Sequence, residues 1–133
     1  MSIFFEKELN IDSIRSFLMC IFNVKEDEIR IFDQDCFFEK EYLFIDDNIK
    51  CLCTYRNVTG DVKLIIEIFR VEDQSPEFMI KRIKYFLSRE NWDGFIVVEN
   101  IDDDYIRISK YLNQSVYIND DLIEDDIIYF VNK

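Results

Sequence analysis

Two groups of side chains in this sequence could do chemistry: its four cysteines and its many carboxylates. Cys51 and Cys53 are one residue apart, so in a strand both thiols would point to the same face. Zinc sites use cysteine pairs at a wider spacing, or cysteines with histidine, and the sequence contains no histidine. A nucleophilic cysteine would also lack its usual histidine base. We therefore interpret the pair as small core residues, and we expect neither a metal nor another cofactor.

The carboxylates do not form a recognisable catalytic or cation-binding motif. Asp33-Gln34-Asp35 is followed by neither the central glycine nor the terminal glutamate of an EF-hand calcium loop. No two acids stand out as the pair that a glycosidase needs. The sequence also lacks the glycine-rich phosphate loop, the dinucleotide-binding fingerprint and the nucleophile elbow. It therefore predicts a protein that is not an enzyme.

The distribution of acidic residues is the most informative feature of the sequence. The chain has 28 acidic and 16 basic residues and a formal charge of −12. Within residues 99–126 the only basic residues are Arg107 and Lys110. The acidic residues of that stretch are Glu99, Asp102, Asp103, Asp104, Asp120, Asp121, Glu124, Asp125 and Asp126. Two interpretations stay open: a solvated face that keeps the protein soluble, and a docking surface that attracts and orients a basic partner.

Composition also bears on the partners and the compartment of the protein. The acidic excess opposes binding to nucleic acid and to anionic membranes, because both need basic residues. The longest apolar run, residues 17–22, is too short to span a bilayer. Residues 1–6 have no basic region and no long apolar stretch, unlike a secretory signal, and the cysteines are typical of reduced thiols. We expect a single domain over residues 1–133, located in the cytoplasm.

Hydrophobic periodicity predicts the elements that must position these side chains. Helices are expected at 10–22, 75–90 and 102–113, the first capped by Asn10 or Asp12 and the second by Ser75 ahead of Pro76. Strands are expected at 28–32, 42–45, 95–99, 115–118 and 127–131, with a hairpin over 49–71. The predicted fold is α/β (α+β), a single mixed, largely antiparallel sheet packed against about three helices.

This topology would gather the acidic residues at one place. The helix at 102–113 would join two strands as a βαβ crossover, so the turn at 100–104 and the loop at 119–126 would emerge at one end of the sheet. Aromatic residues often anchor interfaces, and Trp92 and Tyr105 are the candidates near this acidic rim. The candidate partner-binding residues are therefore Trp92, Asp102, Asp103, Asp104, Tyr105, Asp120, Asp121, Glu124, Asp125 and Asp126.

Two stretches of the chain carry a family resemblance. The opening helix ends with Ile21-Phe22-Asn23-Val24 and is followed by Glu28-Ile29-Arg30-Ile31. The last third runs from Phe95-Ile96-Val97-Val98-Glu99 through 105–112 to Val116-Tyr117-Ile118-Asn119-Asp120. Together with the small size and the acidic charge, these stretches resemble the immunity proteins of contact-dependent growth inhibition and other polymorphic toxin systems of bacteria. The alanine-free composition, rich in Ile, Phe, Asn and Lys, suggests the AT-rich gene expected of such mobile loci.

The resemblance implies a function but no particular site. Such immunity proteins bind the C-terminal effector domain of a toxin, often a basic nuclease, and block its active site or its substrate groove. The family has no shared catalytic or binding residues that could be transferred to this chain. The candidate residues named above therefore follow only from charge and spacing.

Two other classes of protein remain as alternatives. Secretion-type chaperones are also small, acidic and α/β, but they usually dimerise and wrap an unfolded segment of an effector. A nucleic-acid mimic that inhibits a DNA-binding protein would need a more regular spacing of acids. The apolar positions here are accounted for by one core, and the like charges oppose self-association. We therefore expect a monomer that forms a 1:1 heterodimer with its toxin domain.

Overall fold

The computed structural model of the protein describes residues 1–35, 48–71, 75–99, 104–118 and 126–132. These residues form two α-helices, α1 (Ile11–Phe22) and α2 (Pro76–Arg89), and a 3₁₀ turn at Glu26–Glu28. The first five strands are β1 (Ser2–Phe5), β2 (Ile29–Asp33), β3 (Cys51–Asn57), β4 (Thr59–Gly60) and β5 (Leu64–Arg70). The remaining strands are β6 (Ile96–Glu99), β7 (Tyr105–Ile108), β8 (Asn113–Ile118), β9 (Ile127–Ile128) and β10 (Phe130–Asn132).

Eight of the strands form one mixed sheet in the order β10-β8-β7-β6-β1-β5-β3-β2. The β2–β3 pair is parallel, and every other neighbouring pair of this sheet is antiparallel. The short strands β4 and β9 pair in parallel as a separate two-stranded sheet. The α+β class with a large, mainly antiparallel sheet is thus confirmed. The expectation of about three helices is wrong, since the described residues contain two.

Both helices begin where their capping residues predict. At α1 the Asn10 Oδ1 atom accepts a hydrogen bond from the Ser13 N–H at 2.8 Å. At α2 the Ser75 Oγ atom accepts one from the Phe78 N–H at 3.2 Å, and Pro76 is the first helical residue. These side-chain oxygens satisfy backbone donors that have no partner within the first turn of a helix. The predicted helices at 10–22 and 75–90 are therefore confirmed.

The predicted helix at 102–113 is wrong. Its described part, residues 104–113, contains β7, the turn after it and the first residue of β8. Strands β7 and β8 are an antiparallel pair in which Tyr105 faces Val116 and Ile108 faces Asn113. Tyr105 and Ile108 point to opposite faces of β7, and Leu112 lies in the turn that follows the strand. Their spacing of three and four residues resembles that of one face of a helix, although these residues do not share a face. The βαβ crossover is replaced by an antiparallel meander of β6, β7 and β8.

Most of the predicted strands are present. The hairpin over 49–71 is confirmed by the antiparallel pairing of β3 and β5, and the strands near 28–32, 95–99 and 115–118 correspond to β2, β6 and β8. The segment at 127–131 is divided between β9 and β10, and the segment at 42–45 lies outside the described residues. Strand β1 was not predicted, although it pairs with both β5 and β6 in the middle of the sheet.

One face of the sheet, here called the helix face, packs against α1 and α2. Its core includes the sheet residues Ile3, Phe5, Cys51, Cys53, Leu64, Ile66, Ile96, Val98 and Ile108. The helices contribute Ile14, Phe17, Leu18, Ile21, Met79, Ile83, Phe86 and Leu87. Phe17 connects the layers, since its ring lies 4.8 Å from that of Phe5 and 5.1 Å from that of Phe86.

The opposite face, here called the strap face, is covered by extended chain. Its core is formed by Phe4, Val58, Val62, Ile65, Val97, Val116 and Ile128. Residues 126–130, here called the strap, run along the turn between β3 and β5. The Thr59 N–H donates to the Asp126 carbonyl oxygen at 3.0 Å, and the Asp61 N–H donates to that of Ile128 at 2.7 Å. The strap therefore closes part of this face through backbone hydrogen bonds.

Candidate functional site

Two segments of the chain are rich in acidic residues, residues 100–104 and residues 119–126, and we call them the acidic segments. The strand register brings together the points at which the chain enters them. Glu99 at the end of β6 faces Tyr105 at the start of β7, and Tyr105 faces Val116 near the end of β8. The chain therefore leaves β6 and β8 at the same end of the sheet, as expected, but through a meander. The candidates Asp102, Asp103, Asp120, Asp121, Glu124 and Asp125 lie outside the described residues.

Two of the candidate residues, Asp104 and Tyr105, lie at the start of β7. Asp104 is half-buried and directly precedes the strand. The half-buried ring of Tyr105 packs edge-on against Phe4 at 5.7 Å and against Phe130 at 6.2 Å. Such edge-to-face pairs fix the orientation of a ring. Tyr105 is thus held in place on the strap face, with part of its surface still exposed.

Asp126 lies apart from these two residues. Its Oδ1 atom is 2.6 Å from the Arg56 Nη1 atom on β3, and its carbonyl oxygen accepts the Thr59 N–H. Three strands separate β3 from β7 in the sheet. The Asp126 carboxylate therefore holds the strap to the hairpin, and it is already partnered within the fold.

Trp92 lies on the other side of the sheet from Tyr105. Only 4% of its surface is exposed, and its ring stacks on Phe5 at 6.2 Å and meets Phe86 edge-on at 6.2 Å. The Lys7 Nζ atom is 4.4 Å from the ring centroid. The two aromatic residues predicted as anchors therefore do not share one face of the sheet, and Trp92 belongs to the core of the helix face.

The strap face contains a groove that sequence analysis did not predict. Two cavities of about 450 and 460 Å³ lie there, and both are lined by Phe95 and Arg107; we call them together the groove. Glu6, Asp93 and Leu112 also line the first cavity. Asp61, Phe130 and Val131 also line the second. The groove lies where the strap leaves this side of the sheet uncovered.

The carboxylates in the groove all have hydrogen-bond donors. The Glu6 Oε2 atom accepts the Phe95 N–H at 2.7 Å, and the Asp61 Oδ2 atom accepts the Phe130 N–H at 2.8 Å. Asp93 forms an ion pair with Lys110 at 3.1 Å. Each acid thus already has a partner within the fold.

Arg107 differs from these acids. Its guanidinium carbon lies 4.0 Å from the centre of the Phe95 ring, a cation–π contact. Within the described segments no carboxylate is close enough to Arg107 to form an ion pair. Arg107, which lines both cavities, therefore has N–H donors that no described carboxylate engages. The alternation Ile106-Arg107-Ile108 is the sequence signal that could have identified it, because it places a charge on one face of a strand whose other face is buried.

The thiols are unsuited to nucleophilic chemistry. Cys51 and Cys53 are buried, and desolvation raises the pKa of Cys51 to about 12 and also raises the pKa of Cys53. Because the thiolate is the reactive form, both groups are inert at neutral pH. Cys20 is half-buried and free, and Cys36 lies outside the described residues.

No group of three or more Cys, Asp or Glu side chains among the described residues could hold a metal ion. None of the helices in this part of the chain is long and apolar enough to cross a membrane. Comparison with protein-family models, curated proteins and solved structures finds no match to the chain.

Proposed function

We propose that the chain is a non-catalytic immunity protein that binds the effector domain of a cognate bacterial toxin and blocks its active site or substrate groove. The observation that supports this most directly is the common origin of the two acidic segments. Glu99, Tyr105 and Val116 lie side by side on β6, β7 and β8, so the chain enters both segments from one end of the sheet. A basic effector domain, such as a nuclease, is the partner that such a charge concentration suits.

The charge makes a long-range contribution to this binding. Residues 99–126 carry nine acidic and two basic side chains, and Lys110 is paired with Asp93. Clustered charge of one sign raises association rates by about 10- to 1000-fold, and salt removes the effect. An immunity protein benefits from such steering, since it must reach the toxin before the toxin reaches its substrate.

Growth rescue tests the proposal. The proposal expects a large toxin gene directly upstream of this one, and the C-terminal domain of that toxin is expressed from an inducible promoter, with and without this chain. We expect the chain to restore growth and to copurify with the domain at a 1:1 ratio. Lack of rescue and of complex formation would refute the immunity function. A free chain that scatters light as a dimer, twice 16.2 kDa, would instead support a secretion-type chaperone.

Charge reversal then tests the acidic segments. Replacement of Asp120, Asp121 and Asp125 by lysine should slow association about tenfold or more at low salt and weaken its dependence on ionic strength. Asp126 is left intact because it pairs with Arg56.

The matched control reverses three exposed acids elsewhere, Glu8, Glu26 and Asp27, and so changes the net charge equally. Stopped-flow traces give the association rates, and circular dichroism checks that both variants fold. If the two triple variants slow association equally, the effect comes from net charge and not from a docking surface.

A further inference from the structure

Arg107 has a donor capacity that the described fold does not use. The other charged side chains of the groove are engaged: Glu6 and Asp61 by backbone N–H groups, and Asp93 by Lys110. A guanidinium group carries five N–H donors in a planar fork that matches a carboxylate with two parallel hydrogen bonds. Among the described residues, what Arg107 lacks is therefore an acceptor, and a carboxylate is the acceptor whose shape and charge fit best.

Contact with the Phe95 ring orients the Arg107 side chain before a partner binds. The guanidinium carbon lies 4.0 Å from the centre of the Phe95 ring, and a guanidinium group that stacks on a ring can still donate from the edge of its fork. Stacking limits the side-chain rotamers before binding, so less entropy is lost when a partner is bound. Arginine next to aromatic residues is also typical of the few residues that dominate binding energy at interfaces.

The charges along the groove alternate in sign. Glu6 and Asp93 line the first cavity, Asp61 lines the second, and Arg107 lines both. The order is therefore negative, positive, negative. A complementary surface has one carboxylate flanked by basic side chains, whereas a phosphate group or a nucleic acid would meet acids on both sides.

Exposed apolar side chains lie at the edges of the groove. Leu112 lines the first cavity and is 61% exposed, and Val131 lines the second and is 53% exposed. Tyr111, beside Leu112 in the turn between β7 and β8, is 91% exposed. Contacts of this kind exclude water from a central charged pair and so strengthen it.

We propose that the groove receives a carboxylate side chain of the partner protein that is flanked by basic residues, and that Arg107 binds it through two hydrogen bonds. This inference rests on the immunity function proposed above and specifies the partner surface. Basic nuclease domains have this pattern where acidic residues that hold catalytic metal ions lie within a surface that binds phosphates. The groove would then bind at the active site itself.

The test measures binding of a catalytically inactive effector domain to Arg107 variants of the full chain by isothermal titration calorimetry. Arg107→Ala should raise the Kd at least about 30-fold, because it leaves the partner carboxylate buried without a donor. Arg107→Lys keeps the charge but not the planar fork, and it should recover only part of the affinity. The control Arg15→Ala removes an arginine that is paired with Asp12 on α1, and it should leave the Kd unchanged.

A charge swap tests the chemical class of the bound group. Arg107→Glu should abolish binding, and replacement of one Asp or Glu of the effector domain by Arg should restore it. If wild-type protein binds and Arg107→Ala binds within about twofold of it, the inference is wrong while the immunity function stands. If the wild-type chain does not bind the domain at all, the proposed function fails and this inference fails with it. Failure of every acidic-to-Arg replacement to rescue Arg107→Glu would also overturn the proposal.

Discussion

The two faces of the sheet are covered in different ways. The helix face is closed by two amphipathic helices, whose buried side chains meet those of six of the eight strands in one continuous core. The strap face is closed only in part, by the turn after β3 and by residues 126–130. Phe4 and Phe5 are adjacent in β1 and point to opposite faces, so one strand serves both layers.

This difference predicts that the helix face mainly stabilises the fold and that the strap face mainly binds the partner. Helices bury a wide apolar stripe against a sheet, while an extended segment covers a narrow strip and is held mainly by backbone hydrogen bonds. The uncovered remainder of the strap face keeps charged and aromatic side chains accessible, and the groove lies there. We therefore expect substitutions on the helix face to affect folding, and substitutions around Arg107 to affect binding.

The largest loss of stability is expected when Phe5 is truncated, and its neighbour Phe4 on the other face is the comparison. Phe5→Ala should lower the free energy of unfolding by about 4 kcal/mol, because the rigid helix layer around Phe17 and Trp92 cannot fill the cavity. Phe4→Ala should cost about 1 kcal/mol less, since the strap around Phe130 can move toward the sheet. Urea unfolding measures both. Equal costs would show that the strap is packed as firmly as the helices.

The buried thiols provide the next test. Cys51 and Cys53 should react with a thiol reagent at pH 8 about 100-fold more slowly in the native protein than in urea, and more slowly than the half-buried Cys20. Their pKa values are raised in the folded state, so the associated stability is present below the ordinary thiol pKa of 9.0 and decreases as pH rises above it. Mass spectrometry identifies the labelled residue. Early labelling of Cys53 would mean that the helix face opens readily.

Local signals in the sequence were sufficient to predict α1 and α2, the two helices with clear capping residues. Asn10, Ser75 and Pro76 mark helix starts through short-range hydrogen bonding and a fixed backbone angle, which tertiary context did not override. The predicted helix at 102–113 is wrong because Tyr105 and Ile108 have helical spacing but lie on opposite faces of β7. Strand β1 was missed for a different reason, since residues 2–5 are all buried and show no alternation.

The site was harder to predict than the fold. The sequence indicated acidic segments at a common sheet end, and the register of Glu99, Tyr105 and Val116 supports that. The groove depends on Phe95 and Arg107, which are distant in sequence and meet only through the antiparallel pairing of β6 and β7. Burial of Trp92 depends in the same way on long-range contacts with Phe5.

The two glycines of the chain test the strap directly. Gly60→Ala should cost about 2 kcal/mol, because φ is +103° there and the added Cβ would overlap the Ile128 backbone. In Gly94→Ala the added Cβ meets the flexible Glu6 carboxylate, which can move, so the loss of stability should be smaller. Urea unfolding compares the two variants. A larger loss for Gly94→Ala would show that the first cavity of the groove, and not the strap, is the more rigid part.

The smallest change in the free energy of unfolding is expected when one ion pair on each face of the sheet is removed. Arg56→Met removes the pair with Asp126 that holds the strap, and we expect a loss of about 0.5 kcal/mol, because both side chains are partly exposed and solvent weakens their attraction. Methionine retains an apolar stem, so the change reports mainly on the charge. The matched variant Arg15→Met breaks the more exposed pair with Asp12 on α1 and should change stability by less than about 0.2 kcal/mol.

Urea unfolding of both variants at low salt and at 1 M salt measures these losses. A charge effect at Arg56 should shrink when salt screens it. A loss that is independent of salt would mean that Arg56 holds the strap through packing instead of through its charge.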